Sequence, residues 1–332
     1  MFTFILRRLI ISVLVLIVIS MVSFFVIQLP PGDFASTYKQ FLIQTAGLTE
    51  DRAEEMTVLV RQQYGLDQPV YKQYLTWIKG IVTEGKFGFS FAYRRDAGDI
   101  ILDRLPKTLM LALLAHSVST FVGIFAGIFV APRQYSWADN ILSVLAFILT
   151  SIPRFFIALV ILYVLVFTFR QHHITSFFSP EYAVAPWSWN KFVDLVMHIW
   201  PVVAIAGLGG VARNMRVMRG NLLDVLNAQY VTTARSKGLR ERAVINGHAV
   251  PNALHPMVAY QGTALPYMLQ GELEATIVMG IPTLGPILYQ ALATQDIYLS
   301  GGVLLVIAAL IVTGNLLADL FLAVLDPRIR YS

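Results

Sequence analysis

TTARSKGLRERAVINGHAVPNAL, residues 232–254, is a basic, polar run set between two apolar segments. It opens on Thr232-Thr233-Ala234, turns at Gly238 and meets a proline at Pro251. The rest of the chain has the opposite character. It is 56% hydrophobic and 14% charged, where a soluble domain is about 25% charged, and its mean hydropathy is +0.64. Apolar runs of about 20 residues, the length that crosses a bilayer, recur along it. The polar run therefore reads as a loop of a multi-pass membrane protein, and the spans follow by working outward from it.

Toward the C-terminus, spans are expected at about 257–279 and 302–325. Toward the N-terminus, one is expected at about 192–212 and another at about 140–169, joined by a loop (170–195) whose Pro180, Pro186, Trp187 and Trp189 suit an interface. A further span starts near Pro106, a good first-turn residue, and runs to about Val130. It contains Gly123-x-x-x-Gly127, a spacing that allows close helix contact and also occurs in ordinary small-residue packing. The first apolar run, Leu9 to Ile27, follows Arg7-Arg8. It is too long for a signal peptide and lacks a small-residue cleavage pattern, so it reads as an uncleaved transmembrane helix.

Residues 30 to about 100 carry eight basic and nine acidic residues. Thr49-Glu50-Asp51 suits a helix start and Gly65 a helix stop. The expected fold is thus an all-α polytopic membrane protein with six transmembrane helices and a small extracytoplasmic helical subdomain after the first. The expected division is 1–29 (first helix), 30–101 (subdomain) and 102–332 (five helices, including loop 213–255).

Six spans place both termini on one side. The stretches on that side (1–8, 131–139, 213–255 and 326–332) hold twelve Lys or Arg and four acids. By the excess of Lys and Arg in cytoplasmic loops, both termini and residues 213–255 are expected in the cytoplasm. Seven of those basic residues lie in 213–255. Leu222, Leu223, Val225, Leu226 and Tyr230 recur there at helical spacing, Gly238 breaks the pattern, and Leu239–Val250 resumes it. An anchor on anionic lipid or a plain connector explains the charge. A docking element for a cytoplasmic partner also explains two amphipathic helices with a glycine between them.

This segment resembles the cytoplasmic loop of ABC-importer permeases, whose pattern is Glu-Ala-Ala, three residues, Gly, nine residues, Ile, one residue, Leu-Pro. The register here is Thr232-Thr233-Ala234, Gly238, His248, Val250 and Pro251, with Thr232 and His248 replacing the Glu and the Ile. Tyr-Val-Thr-Thr-Ala-Arg-Ser-Lys-Gly-Leu (230–239) is closer to peptide and nickel importer permeases. Arg7-Arg8-Leu9, Pro31-Gly32-Asp33, Tyr64-Gly65-Leu66-Asp67-Gln68-Pro69, Arg104-Leu105-Pro106-Lys107-Thr108-Leu109, Ser151-Ile152-Pro153-x-Phe155, Asn315-Leu316-x-x-Asp319-Leu320 and Leu325-Asp326-Pro327-Arg328 match in order. The chain resembles the oligopeptide-permease B type along essentially its whole length.

The resemblance implies the type I importer permease fold in a bacterial inner membrane. It also implies a second, homologous permease subunit, two cytoplasmic ATPase subunits that hydrolyse ATP with Mg, and an extracytoplasmic solute-binding protein. Tyr230, Thr232, Thr233, Ala234, Arg235, Lys237, Gly238, Leu239 and Pro251 would belong to the ATPase-coupling element, with residues of about 228–242 as its helix. The implied solute is a peptide, with oligosaccharides or nickel carried by related permeases. Pro282-Thr283-Leu284-Gly285 departs from the family's Pro-Gly-x-Gly. Thr276 stands where a glutamate is common, and Glu272 and Glu274 lie nearby in the outer half of span five.

Within the spans, Arg154 stands out, next to Pro153. Phe155–Phe169 makes about 22 Å of helix, short of a core of about 30 Å, which puts Arg154 inside the bilayer thickness. A central arginine costs roughly 2.5–3.5 kcal/mol on insertion scales. It either lines a wet path or snorkels to the interface. Glu272 and Glu274 line the outer path or sit at the outer interface. Asn315 and Asp319, four apart on one helix face, read as structural. Gly80-x-x-x-x-Gly85-Lys86 imitates a phosphate loop, but Phe87 stands where Ser or Thr would hold Mg²⁺. No catalytic or metal-ligating set is evident, there is no cysteine, and no cofactor is expected on this chain. A stand-alone secondary transporter is the competing class. It predicts an internal repeat, which the sequence does not display.

Overall fold

Long apolar runs become long helices, and two of them continue across an internal proline, Pro106 and Pro201. The computed structural model describes residues 2–171 and 174–325. His172-His173 and the closing Asp326-Pro327-Arg328 motif lie outside the described residues. The helices are α1 (Phe2–Ile27), α2 (Phe34–Gln44), α3 (Glu50–Tyr64), α4 (Val70–Glu84), α5 (Ala97–Val130), α6 (Trp137–Ser151) and α7 (Arg154–Tyr163). They continue as α8 (Pro180–Ala183), α9 (Trp189–Leu226), α10 (Gln229–Ser236), α11 (Glu241–Val244), α12 (Val250–Met279), α13 (Leu284–Ala293) and α14 (Ile297–Leu325). Strands β1 (Phe89–Ser90) and β2 (Arg95–Asp96) pair antiparallel. Parts of α1, α5, α9 and α14 are long and apolar enough to cross a membrane. Among the described residues, two bent pairs, α6 with α7 and its π turn, and Leu269–Met279 with α13, bring the count to as many as six where each pair makes one span.

Three span boundaries differ from expectation. Span three is not one helix over 140–169, because the chain turns by 100° between Ser151 and Arg154. Pro153 lacks an N–H and drives Ile152 into an extended conformation (φ −81°, ψ 129°). The Arg154 depth estimate assumed a straight rod, so packing sets that residue's position instead. Pro106 lies inside α5 and not in its first turn. Asp96 starts the helix earlier by accepting the Gly98 N–H at 2.8 Å. Span four continues past Ala212 as a single 38-residue helix, about 57 Å long, so Arg213, Arg216 and Arg219 lie on a rod and not in a loop.

The chain forms two compact units. One comprises residues 108–282 and the C-terminal stretch from Gly314. Its α5–α9 contact is a seam of small residues. A Cβ on Gly123 would lie 2.5 Å from Asn214 Cβ, and one on Gly127 would lie 2.7 Å from Met218 Cβ. The Gly-x-x-x-Gly spacing therefore marks a close crossing. Buried polar bonds stitch the same helices to α12. Asn214 donates to the Ser119 carbonyl (3.1 Å), Gln261 donates to Asn214 Oδ1 (2.8 Å), and Thr120 donates to Gln261 Oε1 (2.8 Å). At the start of α6, Asp139 receives both forks of Arg219, Nε at 2.6 Å and Nη2 at 2.7 Å, and accepts the Tyr135 N–H at 3.0 Å.

The other unit comprises residues 2–107 and 283–313. Phe24 of α1 packs on Tyr74 and Trp77 of α4, with ring centroids at 5.5 and 5.1 Å. Asp33 caps α2 through the Ser36 N–H (2.8 Å) and takes Arg61 Nε at 2.8 Å. Burial pushes the Asp33 carboxyl up, but bonds from Arg61 and Ser36 outweigh it and hold it below the usual value. Asp296, fully buried, accepts from Ser90 Oγ (2.7 Å) and the Ala92 and Leu299 N–H groups (3.1 and 3.2 Å). Burial raises its pKa in spite of those donors. The phosphate-loop imitation resolves into a helix end. Gly85 caps α4 with φ +68°, and the Phe87 carbonyl accepts the Trp77 indole N–H at 2.8 Å.

Candidate functional site

The start of the basic run, with the three residues before it, forms the short helix α10 (Gln229–Ser236), held by its neighbours. At 8 residues, α10 is too short to be stable alone. Tertiary packing holds it, because Val231 and Ala234, three apart and both buried, enter a cluster with Met218 and Leu222 of α9, Val244 of α11, and Ala253 and Met257 of α12. Gly238 follows with φ +78°, a conformation that glycine adopts without a Cβ penalty. Arg240 then caps α11 in an extended conformation, so the second helix starts at Glu241 and not at Leu239.

Arg235 brackets the turn. Its Nη2 lies 2.8 Å from Glu241 Oε1, and its Nη1 donates to the Leu226 carbonyl at the end of α9 (3.3 Å). The bond between Arg235 and Glu241 raises the Arg235 pKa and lowers that of Glu241. Both side chains are exposed, so the pair orients the turn and adds little stability. From Val244 a π turn (Ile245–Ala249) leads directly into α12. Pro251 sits in the first turn of α12, where its missing N–H costs nothing.

The predicted coupling residues divide by orientation. Tyr230, Thr232, Thr233, Arg235, Lys237, Gly238, Leu239 and Pro251 are exposed, whereas Ala234 faces the core. The exposed face is basic, with Tyr230 and Leu239 as its large apolar side chains.

The predicted pathway residues converge only in part. Pro153 and Arg154, at the break in span three, line a cavity of about 400 Å³ with Arg213, Arg216, Tyr267 and Glu274. Glu272 is fully buried and lies on a different face of α12 from Glu274, as two residues of helical rotation require. Asn315 is exposed and Asp319 half-buried. The sequence reading missed Arg213 and Arg216 as cavity residues. Their signal was the three-residue spacing that continues the helical period of span four.

The profile of the family described as "Binding-protein-dependent transport system inner membrane component" matches residues 123–331. The profile of its N-terminal membrane component matches residues 1–112. The chain belongs to the binding-protein-dependent ABC-importer permeases of peptide type. The oligopeptide transport system permease protein AppB of Bacillus subtilis is 30% identical over 332 residues, covering 100% of both chains. A Brucella ovis protein named as a peptide permease is 33% identical over 333 residues, again covering 100% of both. The permease is a multi-pass membrane protein, and its family is a transporter component and not an enzyme.

Proposed function

We infer that this permease forms half of the translocation pathway of an ATP-driven, binding-protein-dependent peptide importer. A second, homologous permease completes the pathway, two cytoplasmic ATPase subunits hydrolyse ATP, and an extracytoplasmic solute-binding protein delivers the solute. Both termini and α10 face the cytoplasm in this reading. The supporting observation is the anchoring of α10, with Val231 and Ala234 buried beneath it, Arg235 bracketing its end, and a basic face left exposed. A short helix fixed at both ends transmits displacement, where a loose loop absorbs it. The exposed residues from Tyr230 to Leu239 are the contact for the ATPase groove, and Ala234 positions them.

Gly238→Val tests this. A β-branched residue at φ +78° is strained by about 1–2 kcal/mol, and no atom lies within 4 Å of the new Cβ, so the damage stays in the turn. The variant is expected to reach the membrane, to lose ATPase co-purification by about tenfold, and to lose ATP-driven uptake. Gly238→Asn, which tolerates the left-handed region, keeps both. Solute movement by the chain alone in proteoliposomes, without ATP, would establish a stand-alone transporter instead.

A further inference from the structure

We propose that the arginine-lined cavity beside the span-three break is a binding site for the carboxylate of a transported solute. This rests on the permease reading above and names the chemistry that the path recognises. Three guanidinium groups, from Arg154, Arg213 and Arg216, meet one carboxylate, Glu274, around a space of about 400 Å³. None of the three arginines makes an ion pair within 4 Å among the described residues. Unneutralised cations among membrane helices are costly and mark a path or a ligand.

The three guanidinium groups make few hydrogen bonds of their own among the described residues. Arg154 lies in a slot between α9 and α12, touching buried Gly209 on one side and filling the space that the missing Cβ of Gly271 leaves on the other. A Cβ on Gly209 would lie 3.5 Å from its Nε, and one on Gly271 would lie 2.8 Å from its Nη1. Arg213 Cζ lies over the Tyr267 ring, 5.2 Å from its centroid, and Arg216 Cζ over the Phe147 ring at 5.1 Å. A cation–π contact uses up no N–H donor and so leaves hydrogen-bonding capacity for a planar acceptor. Arg216 also donates to Thr150 Oγ1 at 3.4 Å, next to the break. Glu274 is turned toward Gln270, whose Nε2 donates to it at 3.2 Å.

The shared chemistry is an oxyanion, which a solute carboxylate or a lipid phosphate can supply. Two features favour the solute. The floor of the slot is buried glycine at the α9–α12 contact, inside the helix packing. The cavity also opens at a broken helix, the arrangement by which membrane proteins expose polar groups at depth.

Arginine-specific labelling tests the site without relying on transport. The full chain, in phosphatidylcholine nanodiscs, is treated with phenylglyoxal, and modification of each arginine is read by mass spectrometry. N-acetyl-trialanine is expected to slow labelling of Arg154, Arg213 and Arg216 at least threefold, with Arg133 unchanged. N-acetyl-trialanine amide, which lacks the charge, is expected to give no protection. Glu274→Gln removes the opposing charge and lowers the half-protecting concentration about fivefold, while Arg213→Gln raises it by a similar factor. Equal protection by acid and amide, or none by either, overturns the proposal. Protection by added phosphatidylglycerol but not by the peptide reassigns the cavity to a lipid headgroup and also overturns it. Selective protection in a chain that supports no ATP-driven uptake leaves the site standing and removes the importer reading.

Discussion

Arg219→Met is expected to destabilise the permease by roughly 2–4 kcal/mol, seen as a fall of about 3–6 °C in the thermal transition of the detergent-solubilised chain. The side chain of Asp139 is only 2% exposed, and Arg219 supplies its two short bonds, at 2.6 and 2.7 Å. Methionine keeps the length of the arginine stem and strands a carboxylate that has lost its counter-charge. The loss stays below the roughly 3–5 kcal/mol of a fully buried pair because the Arg219 side chain is 24% exposed. The double variant Asp139→Asn with Arg219→Met recovers most of the loss, because no charge is then stranded. A single variant as stable as the parent would show that the pair contributes nothing beyond its own desolvation cost.

Gly127→Leu is expected to do comparable or greater damage by a different route. The added Cβ would meet the Met215 carbonyl at 2.8 Å and Met218 Cβ at 2.7 Å. Inserting carbon into a packed contact costs about 1–3 kcal/mol where side chains can yield, and a backbone carbonyl yields less. Relief requires α5 to move off α9, which pulls Asn214 from the Ser119 carbonyl. The expected result is a chain that accumulates poorly in the membrane and unfolds at a lower temperature. Gly220→Leu serves as the control, since nothing lies within 4 Å of its Cβ and the position is exposed. If the two leucine variants are equally well tolerated, the seam does not hold the helices.

The parts of this architecture that were legible in the sequence follow from run length and punctuation. Apolar runs located the helices, and Gly238 between amphipathic stretches located the turn after α10. What escaped was geometry that averaging hides. Residues 140–169 are apolar throughout, so hydropathy alone ran across Pro153, although the proline and the Ile152 before it carry the signal for a break. Span four was ended at Ala212 because charge begins there, yet Arg, Met and Leu are good helix formers and the rod continues to Leu226. Polar residues Asp99, Asp103 and Arg104 disguised the first turns of α5. The slot for Arg154 was invisible because Gly209 and Gly271 are 62 positions apart and become neighbours only when α9 packs on α12.

The unbroken length of α9 imposes a reciprocity. The same rod carries Gly209, Arg213 and Arg216 at the cavity and, about 15–25 Å further on, the Leu226 carbonyl that Arg235 grips. Any shift of the rod that improves one end's fit to its ligand is felt at the other. By linkage the two affinities must change by one common factor. If a carboxylate seated among the arginines raises the affinity for the ATPase several-fold, ATPase engagement raises the affinity for the carboxylate by that same number. The half-protecting concentration of N-acetyl-trialanine, measured with and without the ATPase subunits, reads the factor from one side. ATPase binding, with and without the peptide, reads it from the other, and a factor of one from both sides would mean that this rod does not couple the two sites.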